Sequence, residues 1–209
     1  GIWYKELMIE YYVLIFFIIP TIELFVNKFI RSRIVVLGSY FAFITTIATL
    51  IIICNLYALK SELVNVKILS VLLCVLLGIF LYVIDLAIKN IVLNDVLILD
   101  FTYYFSFNRD TSFKILLSVL IAIEEELIFR FPLCLFEGIS FFLLFVGTLS
   151  FGLAHMFFSK YDVASKMIIG ILLGIISIVS HNVFHAIIIH AVYNLIVGIC
   201  GGINLKNII

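Results

Sequence analysis

The chain has 209 residues, of which 65% are hydrophobic and only 12% are charged, and its formal net charge is +0. Because a soluble domain carries about 25% charged residues, this composition, with a mean hydropathy of +1.32, excludes an ordinary soluble protein. The balanced charge provides no basic surface for nucleic acid. The apolar residues form runs of about 18 or more, which are typical of membrane-spanning helices. We therefore predict an all-α, polytopic transmembrane helical bundle that forms a single integral membrane domain over residues 1–209.

Seven apolar segments follow one another along the chain, and the pattern is also compatible with six or eight spans. The predicted segments are residues 7–26, 34–58, 68–88, 113–131, 139–157, 167–181 and 183–201. The stretch between the third and the fourth, residues 89–114, is aromatic and moderately apolar, which indicates a segment that lies along the membrane interface.

The lysine and arginine residues indicate an orientation, because they concentrate in cytoplasmic loops. With seven spans, one side receives nine of them: Lys28, Arg31, Arg33, Lys89, Arg109, Lys114, Lys160, Lys166 and Lys206. The other side receives only Lys5, Lys60 and Lys67. We therefore predict an outside N-terminus and a cytoplasmic C-terminus. An additional span within residues 89–110 would change this count.

The fourth segment carries charges that a lipid-facing helix would not contain. Glu124, Glu125 and Glu126 follow one another in it, and Arg130 comes four residues after the last of them. A charge at the bilayer centre costs roughly 2.5–3.5 kcal/mol on insertion scales, so such residues indicate a functional site by default. Glu126 and Arg130 share one helix face and can form an ion pair.

The remaining two glutamates point elsewhere. Glu125 lies about 100° around the helix from Glu126, so the same arginine is not expected to pair with both carboxylates. Glu125 is therefore the candidate general base. Glu124 is expected to face another side, toward the interface or a water-filled cavity. An ion-pair network that only holds helices together is the alternative interpretation of this cluster.

All four histidines follow these glutamates along the chain. His155 comes at the end of the run SFGLAHM in the fifth segment, and the others fall near or within the last segment. For His181 and His185 we favour an interhelical hydrogen-bonding role, although their i, i+4 spacing would also suit metal ligation. His190 and Asn194 share one face deep in an apolar helix, and both can donate hydrogen bonds to a developing oxyanion.

Three motifs, taken together, resemble those of the CAAX-protease and bacteriocin-processing family of membrane proteins, also called the CPBP or Abi family. The family's motifs are EExxxR, FxxxH and HxxxN, in that order on three late spans. Here they consist of Glu125-Glu126 with Arg130, Phe151 with His155, and His190 with Asn194. Each motif alone is weak, whereas three in order on apolar segments are a strong signal. The resemblance covers about residues 113–201, which would form the catalytic core.

The resemblance implies an intramembrane endopeptidase. The roles that it implies are water activation by Glu125 and His155, oxyanion stabilisation by His190 and Asn194, and support of these side chains by Glu126 and Arg130.

Zinc is the open question about cofactors. Glu125, His155 and His190 form a chemically sound catalytic zinc set. We favour a reaction without a cofactor, because an asparagine is a poor zinc ligand but a good oxyanion donor. The four cysteines are scattered without CxxC spacing and predict neither a disulfide framework nor a metal site.

The substrate and some alternatives also stay open. The substrate would be a membrane-bound peptide or protein, such as a bacteriocin leader, a peptide pheromone precursor or a CAAX-type C-terminus, in a prokaryotic plasma membrane. The partners implied are this substrate and the lipid bilayer, with no nucleic acid, and the oligomeric state is not determined. Other candidate functions are a non-catalytic bacteriocin-immunity protein and a transporter whose buried Glu and His residues relay protons.

Overall fold

The computed structural model describes residues 2–29, 33–93, 109–156 and 160–200. The elements in these ranges are α1 (Ile2–Phe29), α2 (Arg33–Val64), α3 (Ile68–Leu93), α4 (Arg109–Phe129), α5 (Phe131–Leu135), a 3₁₀ turn (Glu137–Ile139), α6 (Ser140–Ala154), α7 (Lys160–Ser180) and α8 (Val183–Cys200). Within them every regular element is helical, so the predicted all-α class is confirmed. Long apolar segments form helices in lipid because a helix satisfies all of its backbone hydrogen bonds internally.

Each of the seven predicted apolar segments corresponds to one long helix. Four helices are long and apolar enough to cross a membrane, over the ranges Glu6–Phe25, Gly38–Val64, Ile68–Ile88 and Asp162–Ser180. The other three long helices are not among these four. Helix α4 is continuous but carries several charged residues, and α6 and α8 are short, with 15 and 18 residues. The chain is therefore an integral membrane protein of several helices, whereas the number of spans and the orientation stay predictions.

Most of the apolar surface of these helices faces outward. Only 17% of the most apolar 18-residue stretch of α3 is buried, and no more than 33% in the other three spans. Large side chains such as Phe17, Leu72 and Phe145 are exposed. A soluble protein rarely exposes such large apolar patches, so lipid is the medium that this surface fits.

Helices α4 and α8 pack against each other at the centre of the bundle. Helix α2 packs against α4, α3 packs against α8, and α6 packs against both α7 and α1. The approach of α3 to α8 is close enough to require a glycine, because a Cβ at Gly78 would lie 2.8 Å from the Ile189 carbonyl oxygen. Small residues of this kind are common where membrane helices meet.

The chain breaks between α4 and α5 at Arg130. Pro132 has no N–H to donate to a carbonyl one turn earlier, and it occupies the first turn of α5, a position that proline tolerates well. The Arg130 N–H still donates to the Glu126 carbonyl at 2.9 Å. The arginine side chain is therefore held at a defined position just beyond the glutamates.

The start of α8 is capped by two polar side chains. The Phe184 N–H donates to Asn182 Oδ1 at 2.9 Å, and the Val183 N–H donates to the Glu62 carboxylate at 2.7 Å. Both groups satisfy amides that have no partner within the helix, and the carboxylate also interacts favourably with the helix dipole. Because Glu62 belongs to α2, this cap ties the two helices together.

Three boundary predictions need correction. His181 lies in the turn between α7 and α8 with φ 49°, so it does not share a helix face with His185 and the spacing argument for metal ligation fails. Helix α7 begins at Lys160, earlier than predicted, because Asp162 in its first turn suits a helix N-terminus. Helix α6 ends at Ala154, so His155 caps the helix instead of lying within it.

Two further predictions lie outside the described residues. Most of the interfacial stretch predicted for residues 89–114 falls on residues 94–108, and the tail with Lys206 falls beyond residue 200.

Candidate active site

The two central glutamates of α4 are buried and point to different partners. Glu125 is 1% exposed and Glu126 is 0% exposed, which makes both of them costly unless they are paired. The Glu126 carboxylate lies 3.3 Å from Arg130 Nε, as the i, i+4 spacing predicts. Glu125 turns away from this ion pair and faces the histidines of α6 and α8.

Besides its ion pair with Glu126, the Arg130 guanidinium packs against Phe151 and close to Gly170. Its guanidinium carbon lies 4.3 Å from the centre of the Phe151 ring, which is a cation–π contact. A Cβ at Gly170 of α7 would lie 3.0 Å from Arg130 Nη2, so a larger residue there would press on the guanidinium. The phenylalanine of the FxxxH motif thus supports the arginine of the first motif, and Glu126 is neutralised deep in the protein.

Glu126 also holds His190. One of its carboxylate oxygens lies 2.7 Å from His190 Nδ1, and the imidazole is fully buried. With the carboxylate ionised, Nδ1 carries the proton and donates. The other ring nitrogen, Nε2, makes no hydrogen bond to the described residues and lies 4.0 Å from Glu125 Oε2. Glu126 therefore aims His190 at Glu125.

His155 is oriented in the same way by the backbone. Its Nδ1 lies 2.8 Å from the Phe151 carbonyl oxygen, which can only accept a hydrogen bond. Nδ1 is therefore the donor, and Nε2 points to Glu125 Oε1 at 3.7 Å. The end of α6 at Ala154 produces this geometry, because the residue that follows it leaves the helix.

The structure thus brings two imidazole Nε2 atoms to the two oxygens of one carboxylate. The separations of 3.7 and 4.0 Å exceed those of direct hydrogen bonds. In apo structures, catalytic hydrogen bonds are often longer than in the working complex. Among the residues predicted from the motifs, Glu125, Glu126, Arg130, His155 and His190 therefore form one cluster.

Asn194 points away from this cluster. Its side-chain Nδ2 donates to the Ser118 carbonyl at 2.8 Å. Ser118 precedes Glu125 by seven residues on α4, which corresponds to about 10 Å along a helix. Asn194 shares α8 with His190 as predicted, but its amide must leave the Ser118 carbonyl before it can donate to a reacting group.

Glu124 and His185, which were also singled out, differ in their contacts. Glu124 accepts a hydrogen bond from Thr45 Oγ1 at 2.8 Å, so α2 lies on the side that was expected to be interface or cavity. The two ring nitrogens of His185 have no hydrogen-bond partner among the described residues, and the predicted interhelical hydrogen bond is therefore not formed there.

Tyr40 on α2 contacts Glu125, and nothing in the sequence predicted this contact. Its hydroxyl lies 2.7 Å from Glu125 Oε1, and the side chain is buried. A tyrosine is not unusual in an apolar span, and Tyr40 belongs to none of the three motifs, so nothing distinguished it from its neighbours.

Asp85 on α3 is a second residue that was missed, and here a signal existed. It accepts hydrogen bonds from Ser165 and, at 3.0 Å, from the Tyr193 hydroxyl. The Tyr193 ring in turn lies beside that of His190, with centroids 6.1 Å apart. The rule that singled out the glutamates, an ionisable residue within a predicted span, applies equally to Asp85.

The donor types of the cluster are those that zinc prefers. Both imidazoles donate through Nδ1, as metal-ligating histidines usually do. The described residues nevertheless contain no group of three His, Cys, Asp or Glu side chains that could hold a metal. Independence of a metal therefore stays a prediction.

Buried glutamate and histidines within apolar helices define a candidate membrane peptidase. Residues 108–196, which carry all three motifs, match the family model of Rce1-like type II CAAX prenyl endopeptidases. The predicted resemblance to the CAAX-protease family is thereby confirmed, and the match supports a membrane protease. No curated protein and no solved structure matches the chain.

Proposed function

We propose that the protein is an intramembrane endopeptidase that cleaves a membrane-associated peptide or protein with a water molecule activated by Glu125. The observation that carries the proposal is the convergence of His155 Nε2 and His190 Nε2 on the two oxygens of this buried carboxylate. An ion-pair network alone accounts for Glu126 and Arg130, but it does not account for Glu125, which has no arginine or lysine partner in the described chain.

The first step is the attack of water on the scissile carbonyl carbon. Glu125 takes one proton from the water, and His155 Nε2, the acceptor nitrogen of its ring, accepts a hydrogen bond from the other. The carbon–oxygen bond forms, and the carbonyl electrons move to the oxygen. Helices α4 and α6 thus supply the two acceptors that orient the nucleophile.

The second step is the collapse of the tetrahedral intermediate. His190 stabilises its oxyanion from the imidazolium form: Nδ1–H stays on Glu126, and Nε2–H, a proton that the ring carries throughout the cycle, donates to the oxyanion. Asn194 contributes a second donor after its amide leaves Ser118. The carbon–nitrogen bond then breaks, and the proton on Glu125 passes to the departing amine. Glu125 ends the cycle ionised, ready for another water.

The substrate that we propose is a peptide embedded in or anchored to the membrane. The cluster lies among apolar helices, so the scissile bond must reach it from the bilayer or its edge. A bacteriocin leader, a pheromone precursor and a CAAX-type C-terminus all meet this condition. The peptides released by cells with and without the protein, compared by mass spectrometry, would identify the natural one.

The test is cleavage by the purified protein in liposomes. We expect new peptide termini from a membrane-anchored candidate peptide, and we expect the rate to be unchanged after treatment with a zinc chelator. A loss of cleavage that added zinc restores would establish the metal-dependent alternative. Binding of the peptide without cleavage would contradict the protease and favour an immunity role.

A further inference from the structure

Tyr40 makes a direct hydrogen bond to the carboxylate that the proposed mechanism uses. Its hydroxyl can donate to an ionised carboxylate, which only accepts, and the distance to Glu125 Oε1 is 2.7 Å. The side chain is 7% exposed, so water does not compete effectively for this bond. Hydrogen bonds to a charged acceptor are about twice as strong as neutral ones.

This bond determines how the Glu125 carboxylate is turned. The last torsion of a glutamate side chain is broad and has no sharp preference, so a carboxylate without a fixed partner can rotate. Here Tyr40 holds Oε1, and the two oxygens consequently face different imidazoles, Oε1 toward His155 and Oε2 toward His190. The convergence on which the proposed function rests thus depends on a donor from α2.

Helix α2 makes a second contact of the same type that does not involve the cluster. Thr45 Oγ1 donates to Glu124 at 2.8 Å, one residue before Glu125 on α4. Helix α2 lies outside the matched residues 108–196, so neither contact is part of the family resemblance. The two hydroxyls join the same pair of helices, and only that of Tyr40 reaches Glu125.

We infer that Tyr40 is a positioning residue of the active site, which holds the Glu125 carboxylate in the orientation that accepts the proton from water. The inference rests on the proposed function. Tyr40 does not touch the substrate in this role; it acts through Glu125, and its loss lowers the rate of the chemical step instead of the affinity for the peptide.

The test compares Tyr40→Phe with Thr45→Val, each of which removes one hydroxyl that joins α2 to α4. The hydrogen-bond partners that orient metal ligands are typically worth roughly 10–100-fold in activity, and we expect the loss of this orienting hydrogen bond in Tyr40→Phe to lower kcat by about the same factor. KM should stay within about twofold of the parent value, and Thr45→Val should keep both constants.

Other results would overturn the role. An unchanged kcat in Tyr40→Phe contradicts it, a raised KM alone assigns Tyr40 to substrate binding, and an equal fall in Thr45→Val assigns both hydroxyls to helix packing. A parent protein that cleaves nothing contradicts the proposed function itself and with it any catalytic role of Tyr40.

A second variant covers the case in which Tyr40→Phe does not fold. Tyr40→His keeps a ring and an N–H donor, and we expect its kcat to lie between those of the parent and of a variant without a donor, Tyr40→Leu. Equal values for Tyr40→His and Tyr40→Leu would contradict the inference.

Discussion

Glu125→Gln is expected to abolish most peptide cleavage while the protein stays folded. The amide has nearly the same shape as the carboxylate and can still accept the Tyr40 hydrogen bond, but it cannot take a proton from water. General bases contribute about 10²–10⁴-fold, so kcat should fall by a factor in this range. The measurement is kcat in liposomes, together with the thermal unfolding midpoint of the purified variant.

The neighbouring carboxylate is the matched control for this substitution. Glu124→Gln makes the same chemical change one residue earlier on α4, where the side chain is bound by Thr45 and not by a histidine. We expect it to cleave at about the rate of the parent. Cleavage by Glu125→Gln at that same rate would show that Glu125 is not the base and would remove the basis of the proposed mechanism.

Arg130→Met is expected to destabilise the protein strongly. Arg130 is 2% exposed and Glu126 is 0% exposed, so the substitution leaves a buried carboxylate without its cation. Removal of one partner of a buried ion pair costs about 3–5 kcal/mol. We expect a lower unfolding midpoint and, because Glu126 holds His190 at 2.7 Å, a large loss of cleavage as well.

The double variant Glu126→Gln, Arg130→Met separates these two effects. Because it removes both charges, no unpaired ion is left buried, and we expect it to recover much of the stability. It should not recover activity, since the carboxylate that orients His190 is gone. A double variant as unstable as Arg130→Met would mean that the arginine stabilises the protein through packing on Phe151 instead of through charge.

The residues of the candidate active site could be found from the sequence because they break its apolar pattern. Glu125 and Glu126 are costly in a membrane helix unless they have partners, and the ion pair of Glu126 with Arg130 follows from their i, i+4 spacing. His155 and His190 were found only together with the motif order, because a lone histidine in a helix has many uses. Asp85 could have been found by the same reasoning.

Other features depend on where helices end, which composition does not show. The end of α6 at Ala154 lies within an apolar run that was predicted to continue to residue 157, and nothing in the sequence showed that His181, at the end of a predicted segment, adopts a left-handed turn. The orientation of His155 depends on where α6 ends, because its Nδ1 donates to the Phe151 carbonyl in the last turn of that helix. The hydrogen bond of Asn194 to Ser118 likewise depends on how α4 and α8 meet.

A helical membrane protein with a buried acid–histidine cluster could be predicted from composition and motif order, because long apolar runs require helices in lipid and charges within them require partners. Which atoms meet depends on how the helices pack, as in the contact of Tyr40 with Glu125 and in the two imidazoles turned toward one carboxylate. In a soluble protein, hydrophobicity separates the buried face of a helix from the exposed one. In a membrane both faces are apolar, so the pattern of residues does not reveal which side of α2 faces α4.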